Sequence, residues 1–193
     1  RSYDEPPPPR PAGASSPRPP GRRWRPGPGA GPPCRRGPAY IEALRRSAEE
    51  ALGNLGFVPD VLLASFHGMP LRTLNLGDPY HCQCLKTARL LGEALGRPVV
   101  PSFQSRFGKA KWLEPATDAT LTRLGCEGKS VAVIAPGFSA DCLETLEEVA
   151  LRGREQYMEA GGERFAYIPC LNDSAVGISM LETLIRRELG GWL

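Results

Sequence analysis

The chain has 193 residues, room for one ordinary domain, and its 24 basic and 21 acidic residues leave a net charge of only +3. Residues 1–39 hold eight arginines and two acids, so this stretch carries +6 and the rest about −3, and the basic excess says nothing about the folded part. No run is long enough to span a membrane, and the opening stretch has no apolar core of the length a secretory signal needs.

Residues 1–39 also contain 13 of the 21 prolines and no Leu, Ile, Val or Phe. Such a segment cannot bury enough apolar surface to offset the entropy of ordering it, and is expected to be disordered with polyproline II character. It divides the chain into an unstructured segment, 1–38, and a folded domain, 39–193. Attraction to nucleic acid or another anionic surface, a ligand for a proline-binding module, and a plain linker are all compatible with its composition. An out-of-frame or fragment origin fits better, because the chain opens with Arg and an Arg/Pro/Gly/Ala mixture is what a GC-rich gene yields when read that way. No nucleic-acid partner is expected of the folded part.

From Pro38 the pattern becomes globular. Pro38 suits a first helical position, and Ile41, Leu44, Ala48, Ala51 and Leu55 mark the buried stripe of a helix over 39–54, with Gly56 beyond its end. A strand is predicted over 61–66, a loop to residue 80, a helix over 81–95 and a strand over 98–104. A helix over 115–124, a strand over 131–135, a central helix, a strand over 165–169 and a helix over 178–189 complete the chain. Regular alternation of strand and helix argues for a doubly wound α/β fold, a parallel sheet of about four strands with helices on both faces.

Two polar loops follow strands, where α/β sheets place ligands. One is Pro136-Gly137-Phe138-Ser139-Ala140-Asp141, leading into the central helix, with Ser139 and Asp141 as candidate N-caps. At helical spacing Leu143, Leu146, Ala150 and Tyr157 share one face, and Glu144, Glu148 and Glu155 form a carboxylate ladder on another. The other loop begins at His67, one of two histidines, where Gly68 and Pro70 force a turn after a short apolar strand. A solvated face and a structural histidine are the plain readings of each alone. Together, an imidazole and a carboxylate ladder can take protons and hold a divalent metal.

The six cysteines show no framework spacing, which predicts free thiols in a reducing cytoplasm. His81-Cys82-Gln83-Cys84 is the one cluster with metal-binding character, and Cys-x-Cys alone falls short of the four ligands of a closed site.

Six motifs occur in order: Ser65-Phe66-His67-Gly68, Gly77-Asp78-Pro79-Tyr80, Gln104-Ser105-Arg106-Phe107-Gly108, Trp112-Leu113-Glu114-Pro115-Ala116-Thr117-Asp118, Pro136-Gly137-Phe138-Ser139-Ala140-Asp141-Cys142-Leu143-Glu144-Thr145-Leu146, and Leu171-Asn172-Asp173. From about Pro38 onward the chain resembles the C-terminal half of ferrochelatases, most closely the proteobacterial branch. The resemblance implies a chelatase-like lobe, one of two in the family's fold, and insertion of Fe²⁺ into protoporphyrin IX to give protohaem in the cytoplasm. It implies His67 as the catalytic and iron-contacting histidine, Glu144 as its opposing carboxylate and Glu148 as the next metal-contacting step. Gln104, Ser105 and Arg106 resemble the loop lining the porphyrin pocket, Arg106 being able to pair with a propionate, and Trp112 and Phe107 could stack on the macrocycle or pack as buried aromatics.

On this reading the partners are protoporphyrin IX, ferrous iron as substrate, a missing N-terminal lobe and a peripheral membrane contact. No iron–sulfur cluster is expected, because some ferrochelatases hold theirs through cysteines near the C-terminus and none follows Cys170 here. Arg152 stands where similar bacterial proteins usually carry Glu, at the ladder's outer end. A cobalt or nickel chelatase and an inactive, porphyrin-binding remnant are the alternative functions.

Overall fold

The structure, a computed structural model, describes residues 37–190. The disorder expected of residues 1–38 therefore falls, up to residue 36, outside the described residues. Four parallel strands, β1 (Val61–His67), β2 (Val99–Gln104), β3 (Val131–Ile134) and β4 (Phe165–Ile168), lie in the order β2-β1-β3-β4. The chain winds outward from β1 to β2, then returns to the other side of β1 for β3 and β4, so the topological switch point lies between β1 and β3.

Alternation along the strands divides the core into two layers. Leu62, Ala64, Phe66, Phe103, Ala132, Ile134 and Ile168 meet the apolar stripes of helices α1 (Pro38–Gly53), α3 (Tyr80–Leu95) and α7 (Ala175–Leu189). On the opposite face Leu63, Val131 and Val133 meet α4 (Thr117–Cys126) and the central helix through Leu121, Leu124, Val149 and Tyr157. All four residues of β3 are buried, as a strand covered on both faces requires. Pro38 occupies the first turn of α1, and Gly96 closes α3 in the left-handed conformation. Ser174 caps α7 by accepting from the Gly177 N–H at 3.1 Å, which starts that helix three residues earlier than its apolar pattern suggests.

The structure corrects the sequence reading in three places. The loop before residue 80 contains a short helix, α2 (Leu71–Asn75), opened by Pro70 and too brief to show a period. The central helix is three pieces: α5 (Leu143–Thr145), a π-helical segment (Leu146–Gly153) and α6 (Arg154–Glu159). Its cap is Cys142 rather than Ser139 or Asp141, the Cys142 N–H donating to Thr145 Oγ1 at 3.0 Å. The wider π turn shifts the phase, so the buried stripe is Thr145, Val149, Gly153 and Tyr157, while Leu143 and Leu146 are 74% and 49% exposed.

Tyr157 anchors the far end of this helix. It is fully buried, and its hydroxyl lies 2.9 Å from the Lys129 carbonyl and 3.2 Å from that of Arg164, joining the loops that enter β3 and β4. Among the described residues no buried side-chain polar atom is left without a hydrogen bond, and no helix is long and apolar enough to cross a membrane.

Candidate active site

His67 is the last residue of β1, half-buried, on the sheet face that packs against the central helix. Its carbonyl accepts from the Tyr80 hydroxyl at 2.8 Å, and its ring meets Phe138 edge-on with centroids 6.3 Å apart. Gly68 follows because the backbone turns against β2: its N–H donates to the Gln104 carbonyl at 2.8 Å, and a Cβ there would stand 2.4 Å from that oxygen.

The second loop, 135–142, leaves β3 on the other side of the switch point. The Tyr40 hydroxyl, from α1, donates to the Pro136 carbonyl at 2.6 Å and fixes its start. Its end is held by Asp141, whose carboxylate accepts from Tyr167 Oη at 2.7 Å, Asn172 Nδ2 at 2.7 Å and Thr145 Oγ1 at 3.0 Å. In return the Asp141 N–H donates to Asn172 Oδ1 at 2.7 Å. Burial works to raise the Asp141 pKa, but the hydrogen bonds from Asn172, Tyr167, Cys170 and Thr145 outweigh it and hold the carboxyl below its ordinary value. Burial also pushes the Cys170 thiol up to about 12, which keeps it neutral and inert. Asn172 takes a positive φ of 48°, a conformation that asparagine tolerates better than other side-chain-bearing residues, so the Leu-Asn-Asp motif is a turn tied to the site's second loop.

These anchors leave Glu144 exposed at the start of the central helix and close to His67. A hydrogen bond from the Cys142 thiol, another from its own backbone N–H, and the nearby imidazole charge hold its carboxyl below the ordinary glutamate value. The Cys142 thiol is pushed up in turn by burial and by that carboxylate. An imidazole and a carboxylate thus flank the switch point. The sequence marks Cys142 only as a motif residue and a free thiol; the signal of its capping role is position, since it immediately precedes the helix.

Glu148 points elsewhere. Its two oxygens accept from Ser105 N–H at 2.5 Å and Ser105 Oγ at 2.7 Å, and Ser105 itself has a positive φ of 63°. Glu148 therefore clips the loop after β2 to the π-helical segment, beside a cavity of about 300 Å³ lined by Ser105, Arg106, Phe107, Trp112 and Asp118. Arg106 pairs with Asp118 through one nitrogen, Nη2, which donates to both carboxylate oxygens at 2.8 and 2.6 Å. Trp112 is half-buried, packs on Phe107 with ring centroids 4.9 Å apart, and donates its indole N–H to the Phe107 carbonyl at 3.1 Å. Gln104 is 3% exposed, with its amide engaged inside the protein.

Beyond Glu148 the ladder does not continue as a row of free carboxylates. Arg152 is exposed and pairs with Glu147, and Glu155 is exposed one turn on. Among the described residues no three of His, Cys, Asp and Glu converge at metal-holding spacing, so His67, Glu144 and Glu148 are not one cluster, nor are His81, Cys82 and Cys84. The His81 ring instead stacks on Phe103 at 5.5 Å. None of the described cysteines is in a disulfide.

The family description Ferrochelatase matches residues 35–189. The chain is 53% identical over 175 residues to the ferrochelatase of Rhizobium meliloti and 51% identical over 175 residues to that of Agrobacterium fabrum, in each case across 89% of this chain. These alignments cover 52% and 51% of the relatives, so the chain spans about half the length of the curated relatives it matches. Among solved structures, SirB from Bacillus subtilis with Fe³⁺ superposes with a TM-score of 0.55 at 12% identity, covering 76% of this chain and 54% of that one, which is a likeness of fold.

Proposed function

Since the chain belongs to the ferrochelatase family, we propose that it carries the chemical half of a site that inserts Fe²⁺ into protoporphyrin IX, releasing two protons and forming protohaem. The observation that carries the proposal is the placement of His67 at the end of β1 and Glu144 at the start of the helix after β3, on either side of the switch point and linked through Gln104, the register partner of His67, whose amide donates to the Glu144 carbonyl. Metalation requires removal of two pyrrole protons and a place for partly hydrated iron to shed water. The imidazole of His67 suits the first task, because imidazole is the side chain best matched to taking and giving protons near neutral pH. Glu144 suits the second, because a hard carboxylate attracts Fe²⁺ without the grip of a thiolate, and its lowered pKa keeps it ionised.

Glu148, whose carboxylate holds Ser105, serves the loop first and the ion second. The Arg106 guanidinium, held by Asp118 through Nη2, has further N–H groups to offer a propionate, and Trp112 with Phe107 offers an aromatic edge to the macrocycle. Leu143 and Leu146 stand exposed on either side of Glu144. Exposed leucines beside an ionised catalytic group fit a surface that a second wall covers, and the twofold length of the relatives supports a first lobe as that wall. Turnover accordingly needs both lobes.

The test is zinc or iron insertion into protoporphyrin by this chain, alone and with a first lobe of a similar enzyme supplied in trans. The expected result is no turnover alone and metalation on addition of the lobe. In that assembly His67→Ala and Glu144→Gln each lower metalation by about 10²- to 10⁴-fold, while porphyrin fluorescence quenching persists. Near-normal turnover in either variant refutes the assignment, as does the same rate with cobalt or nickel and none with iron or zinc.

A further inference from the structure

Gln104 ends β2 in register with His67, the two being Cα partners across the sheet. Its side-chain nitrogen donates to the backbone carbonyl of Glu144 at 2.6 Å, and its side-chain oxygen accepts from Ser65 Oγ at 2.6 Å. One residue is thus bonded to the strand that presents the imidazole and to the helix that presents the carboxylate. Behind it, Ser65 Oγ lies 2.9 Å from Thr117 Oγ1, which lies 2.9 Å from Ser102 Oγ. All four side chains are buried, at 0 to 4% exposure.

The proton count fixes the direction of this chain. Each hydroxyl has one proton to donate. Ser65 gives its proton to Gln104, so it accepts from Thr117, and Thr117 in turn accepts from Ser102 at 2.9 Å, a closer partner for the Ser102 hydroxyl than the Ala64 carbonyl at 3.5 Å. A peptide carbonyl only accepts, so the amide nitrogen of Gln104 must face Glu144. The result is a one-way line from Ser102 through Thr117, Ser65 and Gln104 to the Glu144 carbonyl, each bond polarising the next.

We infer that Gln104 is a positioning residue that sets the distance between His67 and Glu144 through this buried line, instead of facing the macrocycle. A glutamine displayed to a ligand would not have its amide locked between Ser65 and a peptide carbonyl. Glu144 is the second of only three α-helical residues before the π turn, so a donor to its carbonyl ties this short helix start to the end of β2. The consequence for turnover rests on the function proposed above; the consequence for structure does not.

Two arms test it. In the chain itself, nuclear magnetic resonance follows the Gln104 side-chain amide, expected to exchange with solvent at least about tenfold more slowly than a free glutamine amide, and faster in Thr117→Val. In Gln104→Met, backbone amides of residues 143–149 are expected to exchange at least about tenfold faster while those of β3 stay unchanged. A Gln104 amide exchanging at the free rate, or a uniform rise across the domain, overturns the inference.

In the two-lobe assembly, Gln104→Met is expected to lower kcat about 10- to 100-fold, the order expected for ångström-scale misplacement, with KM for porphyrin within twofold. Gln104→Glu recovers as pH falls, because a protonated carboxyl again donates to the Glu144 carbonyl and accepts from Ser65. Wild-type kcat in Gln104→Met, or a change confined to porphyrin KM, overturns it. If the wild-type assembly does not metalate porphyrin, the proposed function falls, and the exchange arm still decides the place of Gln104.

Discussion

Replacing Gly68 with Ala puts the packing around His67 under direct test. The new Cβ would lie 2.4 Å from the Gln104 carbonyl oxygen and 3.3 Å from a ring carbon of Trp112. Even a close carbon–oxygen contact needs about 3.3 Å, so the ends of β1 and β2 must part by about 0.9 Å, and the obstacle is backbone that cannot swing aside. Overpacking of this kind costs about 1–3 kcal/mol, and the lost freedom of the unfolded chain returns about 0.4–1 kcal/mol. The net loss of about 0–2.6 kcal/mol lowers Tm by up to about 10 °C in a domain of this size.

Gly53→Ala is the matched control, because nothing lies within 4 Å of its Cβ position, and it should leave Tm unchanged or raised. Thermal unfolding followed by circular dichroism reads the difference. Because Gln104 moves with the strand end, Gly68→Ala should also reduce metalation by the two-lobe assembly about 10- to 100-fold. A Tm equal to wild type together with undiminished turnover refutes the reasoning.

Three further outcomes follow from the packing and the charges. Val149→Ala, at a position 1% exposed, should cost about 1–3 kcal/mol in urea unfolding, whereas Leu146→Ala, at 49% exposure, should cost less than about 0.5 kcal/mol; the reverse order would restore the plain α-helical phase. Tyr157→Phe removes the donor shared by the Lys129 and Arg164 carbonyls and should cost about 1–3 kcal/mol, so an unchanged urea midpoint counts against it. Asp141 has a folded pKa below its unfolded value of about 3.9, so its contribution is complete above about pH 4 and is lost as pH falls through the lower folded value. Asp141→Asn should therefore be less stable at pH 7 and lose less on acidification below pH 4; parallel stability curves would deny the carboxylate that role.

The four strands, their intervening helices and the doubly wound class were largely legible because they depend on periodicity, and Leu62, Leu63 and Ala64 already announce a strand buried on both sides; the order β2-β1-β3-β4 was not legible, since it is set by long-range pairing. His67 and Glu144 were legible as types of residue after strand ends, and the family likeness joined them. The π turn was not, since Leu143, Leu146 and Ala150 fit a plain helix as well as Thr145, Val149 and Gly153 do, and only packing on Leu63 and Leu121 decides. The partners of Gln104, Glu148 and Asp141 were invisible for another reason. Each reaches across 26 to 43 residues of sequence to an element whose placement depends on the sheet being formed.

Two residues with side chains, Ser105 and Asn172, sit in left-handed conformations, one after β2 and one after β4, and carboxylates at either end of a single eight-residue span, Asp141 and Glu148, hold them. Such conformations each cost about 1–3 kcal/mol and persist only while their surroundings enforce them. Loosening residues 141–148 therefore withdraws support from both loops in the same event, and the opposite flanks of the opening share one local equilibrium. The rim of the site is a single cooperative unit, and in hydrogen exchange the loops at 105–112 and 169–174 should open with one common free energy, well below that of the sheet.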